Sequence, residues 1–411
     1  MKLIYNIGIY IAHFVLGGLS ICNTKIKKGI TGRKQSFKIL ESFLGPDDKT
    51  LWFHCASLGE FEQGLPVFQK LRAHYRSHKV VLTFFSPSGY EIRKNTQVAD
   101  IVVYLPLDTT RNATRFVNLV SPELTVFVKY DIWPNYLNAL KKNQCKAILI
   151  SALFRDNQIY FTWYGAMFRR SLLAFEHIFT QNESSKQLLN SIGYHSVTVS
   201  GDTRYDRVCA QLKANNTLNF IEQFKNGHTC VVVGSSWPED EALFVNYINN
   251  NLHKPLKYIV APHNIKKPQI HDFASKLNIE TLLYSEFDGK PLETYQVLII
   301  DTIGLLSKIY KYADIAYVGG AMGNTGLHNT LEPAVFGVPI IIGHNYEKFP
   351  EAKALIHNGG MFSVSNQKDF NTILDRLITE TEYRKTSGQQ NASFVKENSG
   401  AVIQILKHLR I

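Results

Sequence analysis

Val318-Gly-Gly-Ala-Met-Gly-Asn-Thr-Gly-Leu-His-Asn-Thr-Leu-Glu-Pro333 carries the strongest architectural signal in this chain. The apolar run that leads into it, Ala313-Asp-Ile-Ala-Tyr-Val318, predicts a buried strand. Asn329 to Gly337 predicts a short helix stopped by glycine, and Val338-Pro-Ile-Ile-Ile342 restarts the sheet. Glycines between a strand's end and a helix's start let backbone approach a phosphate closely, and a helix N-terminus offers free N–H groups. One turn on, Glu332 is placed to accept hydrogen bonds from a ribose diol. The spacing is neither the dinucleotide fingerprint nor a P-loop, since the glycines are not succeeded by Gly-Lys-Ser/Thr. A glycine-rich turn required only by chain geometry is the competing reading. Strand, glycines, helix and acid in that order favour a nucleotide-linked ligand.

A chain of 411 residues exceeds the size at which one core stops growing, which predicts two domains. At 45% hydrophobic and 19% charged residues, both can bury sizeable cores. The five cysteines, Cys22, Cys55, Cys145, Cys209 and Cys230, have no paired spacing. They argue for a reducing compartment and against a disulfide framework or a zinc site. The net charge of +11 suits phosphate-rich partners. No arginine-rich block or nucleic-acid module is present, so nucleic acid is not the expected partner.

Leu3 to Cys22 contains no Asp, Glu, Lys or Arg. It approaches one membrane span, though Asn6, His13 and Ser20 weaken it, and it lacks a signal-peptide cleavage site. Lys25, Lys27, Lys28, Arg33 and Lys34 come next and belong on the cytoplasmic side by the positive-inside rule. The expectation is a cytoplasmic enzyme tethered by an anchor helix over residues 1–24. A helix packed on the globular body is the alternative.

From residue 50 strands and helices alternate. Thr50–Cys55, Lys79–Phe85, Ile101–Leu105, Leu124–Val128, Ala147–Ile150, Phe175–Thr180 and Ser196–Ser200 read as strands. After a polar linker, Lys213 to Asn219, the pattern restarts with Cys230–Val233, Lys257–Ala261, Tyr295–Ile300, Ala313–Val318, Ile340–Ile342 and Met361–Val364. The fold class is therefore α/β. Two doubly wound domains are expected over residues 25–212 and 213–395, with a helix over 396–411 packing back across them. Ligands of such sheets bind beyond the carboxyl ends of the strands, so a cleft between the two halves is expected.

Five constellations fall after predicted strands. In Cys55-Ala-Ser-Leu-Gly-Glu60, the acid begins a helix whose N-terminus favours the ionised form, as a general base requires. Ser57 and Glu60 also have the spacing of a capping box, a purely structural use. Ser86-Pro-Ser88 with Gly89 offers hydroxyls and N–H groups to an anion, or a plain helix cap. Lys129-Tyr-Asp131 would point into the cleft, with Trp133 packing. Gly234-Ser235-Ser236 precedes an acidic first helical turn and suits a phosphate or a capped turn. Ala261-Pro-His263 offers a histidine to a leaving phosphate, though a lone histidine is more often structural. No His/Cys/carboxylate cluster has metal spacing, and no cofactor is expected.

Taken together, these stretches resemble the Kdo transferases, which move 3-deoxy-D-manno-octulosonic acid (Kdo) onto lipid A. The resemblance runs through Gly32-Arg33-Lys34, Ala56-Ser-Leu-Gly-Glu60, Thr83-Phe-Phe-Ser-Pro-Ser-Gly89 and Tyr104-Leu-Pro-Leu-Asp108. It continues in Ile132-Trp-Pro-Asn135, Gly201-Asp-Thr-Arg-Tyr-Asp206, Asp301-Thr-Ile-Gly-Leu-Leu306, Val318-Gly-Gly320 and His328-Asn-Thr-Leu-Glu-Pro333. It implies a GT-B fold of two Rossmann-like domains, a CMP-Kdo donor and a lipid A precursor acceptor. It places the enzyme at the cytoplasmic face of the inner membrane and makes it an inverting transferase. The family's proposed base falls on Glu60, and its CMP-binding residues on Gly319, Gly320, Gly326, Asn329 and Glu332. Ser235 and His263 are expected to help hold the donor phosphate, and Ser86, Ser88, Lys129 and Asp131 to line the acceptor side. Many relatives carry acids at both Lys129 and Asp131, and Pro-Arg-His where this chain has Pro262-His263-Asn264. The departures bear on donor and acceptor contacts rather than on the reaction class. The rivals are another GT-B enzyme, transferase or epimerase, that uses a UDP-sugar, and a non-enzymatic nucleotide-sensing protein at the membrane.

Overall fold

Most strands here, such as Thr50–Cys55 and Ile315–Val318, are runs of consecutive buried residues, as expected where helices cover both faces of a parallel sheet. The computed structural model describes residues 2–411. The chain divides into two units, one comprising the chain up to Arg207 together with Ser399–Ile411, the other Val208–Asn398.

The first unit opens with α1 (Lys2–Leu19) and α2 (Thr24–Phe43). Its strands are β1 (Thr50–Cys55), β2 (Lys79–Phe84), β3 (Ile101–Tyr104), β4 (Pro122–Val128), β5 (Lys146–Ala152), β6 (His177–Thr180) and β7 (Val197–Val199). Between them lie α3 (Leu58–His74), α4 (Pro87–Arg93), α5 (Thr110–Val120), α6 (Pro134–Lys142), α7 (Ala166–Leu172) and α8 (Glu183–Ser191). α9 (Thr203–Gln211) runs through the division between the units. The sheet is wholly parallel in the order β3-β2-β1-β4-β5-β6-β7, so the order reverses between β1 and β4. Loops leaving those two strands flank the crevice where such sheets bind ligands. One face of the sheet packs around Trp52, Phe116, Phe127 and Tyr136; the other packs around Phe53, Phe61, Phe68 and Phe84.

The second unit contains α10 (Asn219–Lys225), β8 (Thr229–Ser236), α11 (Pro238–Asn249), β9 (Leu256–Pro262), α12 (Lys267–Ser275), β10 (Thr281–Leu283) and β11 (Val297–Ile299). It continues with α13 (Leu306–Ile309), β12 (Ile315–Val318), α14 (Leu331–Val335), β13 (Ile340–Gly343), α15 (Pro350–His357), β14 (Met361–Val364), α16 (Gln367–Thr379) and α17 (Thr381–Glu397). Its parallel order is β10-β11-β9-β8-β12-β13-β14, reversing between β8 and β12. β10 is not among the strands that the sequence predicts. It has three residues at a sheet edge, too short to show a periodicity.

The stretch expected as one C-terminal helix is broken at Asn398–Gly400, and α18 (Ala401–Leu409) belongs to the first unit. Gly400 has a φ of 112° and no side chain with which to cap the helix. The Asp206 carboxylate takes over that role, accepting the N–H groups of Gly400 and Ala401 at 3.0 and 3.1 Å. Val402 and Ile405 then pack into the same apolar cluster as Phe61, Phe68 and Phe179.

α1 is held to the first unit by polar contacts. The Tyr5 hydroxyl donates to Asp108 at 2.7 Å, the Asn135 side chain donates to Asn6 at 2.9 Å, and Tyr5 meets Phe168 edge-on. Asp108 also accepts the N–H groups of Asn135 and Tyr136 at the start of α6. Burial nevertheless pushes its carboxyl up to about 6. Among the described residues no helix is long and apolar enough to cross a membrane.

Replacing Asp206 by alanine strips α18 of its cap. The expected cost is about 1–2 kcal/mol. Hydrogen exchange in residues 401–409 should quicken while exchange in β1 and β4 stays unchanged.

Candidate active site

Glu60 lies in the first turn of α3, directly after β1 and beside the point where the first sheet reverses. It is only 7% exposed. Ser57 occupies the N-cap but its side chain makes no cap hydrogen bond. The expected capping box is absent: Glu60 Oε2 instead accepts the N–H of Ala56, one residue further back. Burial, then the charge of Asp131, pushes the Glu60 carboxyl up to about 7. The Ala56 N–H, His54 and Lys129 pull the other way and do not prevail. The helix N-terminus, expected to favour the ionised form, is outweighed here, because removal from water counts for more than a partial charge of about half a unit.

Asp131 lies after β4 on the other side of the reversal and is fixed by two donors. One is Nε2 of the fully buried His54, and the other is the indole N–H of Trp133 at 3.0 Å. A carboxylate only accepts, so His54 Nε2 carries the hydrogen between them. Nδ1 of His54 meets the Thr83 hydroxyl at 2.8 Å, and that hydroxyl accepts the Trp52 indole N–H at 2.8 Å. The chain of bonds from Trp52 to Asp131 leaves none of these groups unpaired. Motif spacing does not reveal His54, because it lies inside an apolar strand, where a buried histidine reads as packing. Lys129 sits at φ 68°, a left-handed conformation costly for a residue with a side chain, at the end of β4.

Ser86 is the N-cap of α4, accepting from the Ser88 N–H at 3.3 Å, and the two hydroxyls meet at 2.9 Å. Its own N–H donates to Ala56 O at 2.7 Å, which draws the loops after β1 and β2 together. The first unit thus brings Glu60 and Asp131 together electrostatically, with Lys129 near them, and joins Ser86 and Ser88 to the Glu60 loop through the backbone.

In the second unit the buried Asp240 organises the site. It accepts the Trp237 and Gly320 N–H groups, each at 2.9 Å, and the Tyr317 hydroxyl at 2.7 Å. The loops after β8 and β12 are thereby tied across the reversal of the second sheet. The glycine stretch closes on itself, with the Gly326 N–H donating to Gly320 O and the His328 N–H to Gly319 O, both at 3.2 Å. Gly320 has φ 98° and Gly326 φ 101°. A Cβ on Gly319 would strike Ser235 O and the Asp240 carboxylate, and one on Gly320 would strike Gly326 O. At these two positions the chain's own packing demands glycine.

Ser235, at φ 52°, lies against Gly319. His263 is largely exposed and stacks on Trp237 with ring centroids 4.6 Å apart, and His328 lies 4.5 Å from His263. The Trp237 indole reaches His328 Nε2 at 3.3 Å. Burial, then the neighbouring His263, lowers His328 to about 4, so it is neutral at physiological pH. Asn329 donates its side-chain N–H to Glu332 at 3.1 Å. Asp240, Trp237 and His328 are additions that motif reading does not supply. For Asp240 the available signal is its spacing from Trp237 across Pro238. Among the described residues no group of three or more His, Cys, Asp or Glu is placed to hold a metal ion.

Two parallel Rossmann-like sheets in one chain, each with polar loops where its strand order reverses, define the GT-B fold. Over 87% of this chain and all of the other, the fold matches UDP-GlcNAc 2-epimerase from Neisseria meningitidis bound to UDP-GlcNAc, with a TM-score of 0.57 and 16% identity. The model of the family described as 3-Deoxy-D-manno-octulosonic-acid transferase (kdotransferase) matches residues 31–207. A 3-deoxy-D-manno-octulosonic acid transferase of Haemophilus influenzae is 26% identical over 390 residues, covering 89% of this chain and 87% of that one. A bifunctional glycosyltransferase/methyltransferase of Fusobacterium nucleatum is 24% identical over 369 residues, covering 88% of this chain. The match spans only 57% of that longer protein.

The folded chain keeps the Glu60 proton up to about pH 7, whereas the unfolded chain releases it near 4.5. Native Glu60 therefore binds more protons between those values, and stability falls as pH rises through them. Glu60→Gln should gain stability relative to the parent between pH 5 and pH 8, by an amount of order 1–3 kcal/mol in denaturant unfolding. An identical difference at both pH values would refute the buried, protonated acid.

Proposed function

We propose that this chain transfers Kdo from CMP-Kdo to a phosphorylated lipid A precursor, with inversion at the anomeric carbon. The observation that carries this reading is that similarity to Kdo transferases runs through both units and not through one alone. Glu60 acts as the general base. As the acceptor oxygen attacks the anomeric carbon, its proton passes to Glu60. The bond from that carbon to the CMP phosphate breaks, and both electrons leave with the phosphate. A carboxyl near 7 is ionised in part of the molecules at neutral pH and is basic enough to accept the proton. The loop from Gly319 to Glu332 holds CMP, with Ser235 and His263 at its phosphate. The Gly319 and Gly320 N–H groups are taken by Gly234 O and Asp240. Phosphate charge therefore falls to hydroxyls, imidazole and the remaining amides of the loop. Ser86, Ser88, Lys129 and Asp131 serve the acceptor side. No cofactor takes part. The enzyme works at the cytoplasmic face of the inner membrane, attached by α1.

The direct test incubates the full chain with CMP-Kdo, generated in place, and a tetraacylated lipid A precursor, and reads products by mass. A gain of one or more Kdo units is expected. Preference for UDP over CMP in competition binding, with no gain, would replace the reading by a UDP-sugar enzyme. Glu60→Gln should fold and lose at least roughly a hundredfold in kcat.

The acid limb of the parent's rate profile should fall near pH 7, since protonation removes the base. Asp131→Asn removes the negative charge that raises Glu60, so the limb should move to lower pH. A limb that stays in place would show that Asp131 does not set the basicity of Glu60.

A further inference from the structure

Lys129 leaves β4 at the point where the order of the first sheet reverses. Phe127 lies opposite His54 in the parallel pairing of β4 with β1. Lys129, two residues on, therefore emerges level with Ala56, two residues beyond His54. Adjacent strands run about 4.8 Å apart. The lysine thus starts beside the Ala56 N–H that the Glu60 carboxylate accepts. Its backbone is fixed there, with the N–H donating to Ile150 O at 2.9 Å and φ at 68°. A residue with a side chain is strained in that left-handed conformation, and such strain clusters at ligand sites.

The Lys129 ammonium lies over the neighbouring Tyr130 ring, 5.1 Å from its centroid, and among the described residues it forms no ion pair with a carboxylate. Asp131, two residues on, is turned to His54 and Trp133 instead. A lysine at a strained position, with its charge unmatched by the fold, is free to meet an anionic ligand.

The sugar under transfer supplies an anion at this place. Kdo is a ulosonic acid, so its anomeric carbon itself bears a carboxylate. An acceptor oxygen hydrogen-bonded to Glu60 attacks that carbon from contact distance. A hydrogen bond, a contact and one C–C bond in sequence put the carboxylate carbon no more than about 8 Å from the Glu60 carboxyl. Glu60 and Asp131 already make these surroundings negative, and a third carboxylate is repelled unless a cation meets it. Of the lysines and arginines, Lys129 bears most on Glu60. We propose that Lys129 binds the carboxylate of the transferred sugar and thereby selects ulosonic acids over neutral sugars. This role rests on the transfer reaction proposed above. An aldose has no carboxylate at its anomeric carbon and gains nothing from the same ammonium.

NMR titration of the full chain with free Kdo and with its carboxyl methyl ester tests this without turnover. The parent should bind the acid about tenfold or more tightly than the ester, and Lys129→Met, similar in length and uncharged, should bind both alike. Steady-state kinetics tests the working enzyme. Lys129→Met should raise KM for CMP-Kdo about tenfold or more while KM for the lipid acceptor and inhibition by CMP stay unchanged, and Lys129→Arg should recover most of the loss. Lys129→Gly should show the same raised KM and yet melt above the parent, because glycine adopts a φ of 68° without strain. A parent that favours the acid but transfers no Kdo would remove the reaction and keep the carboxylate site. Equal binding of acid and ester by the parent would overturn the role of Lys129, as would a Lys129→Met variant whose KM rises for the acceptor and not for the donor.

Discussion

The charge of Asp131 acting on the buried carboxyl of Glu60 ties sheet topology to chemistry in the first unit. Neither acid has this effect alone. Glu60 needs a place with little water, which the start of α3 against the sheet provides. Asp131 needs donors that hold its carboxylate in place, and His54 and Trp133 supply them. Both requirements meet only where β1 and β4 run side by side and their chains diverge, because there two loops leave adjacent strands toward opposite faces. Thr83 and Trp52 extend the support into the core, so the position of Asp131 depends on packing well below the surface.

The second unit solves a similar problem with a different anchor. Asp240 is buried, and its three donors come from the loop after β8, from β12 and from the glycine stretch. Burial pushes its carboxyl up while those three bonds pull it down. The glycines are thereby explained first as packing: at Gly319 and Gly320 a side chain has nowhere to go even before any nucleotide arrives. Structural need and ligand binding coexist here, since the turn that excludes a Cβ also leaves the rest of the loop at the strand ends.

Much of this was legible in the sequence. Strands such as β1, β4, β8 and β12 are buried apolar runs bounded by turns, whereas β10 has three residues at an edge and shows no pattern. The strand–glycine–helix order put Gly319 and Gly320 at the carboxyl end of a strand, and the acid after β1 put Glu60 at another; that both ends lie at reversals of strand order came from the sheet topology. The helical character of the C-terminal stretch was also readable. Its break at Gly400 and the cap borrowed from Asp206 were not, because the partner lies 194 residues away.

Residue order was enough to establish the fold class, the strand ends where polar residues gather, and the family that the chain's motifs resemble. These follow from local periodicity and from residue types at fixed spacing. Folding in three dimensions was needed to set His54 beneath Asp131, to make Asp240 join two loops, and to bring Glu60 to titrate near 7. It was needed, too, to bring Lys129 out of β4 level with the Ala56 N–H that Glu60 accepts. Each of these depends on distances between residues far apart in the chain and on how much water folding removes from them, and neither quantity is written in local sequence.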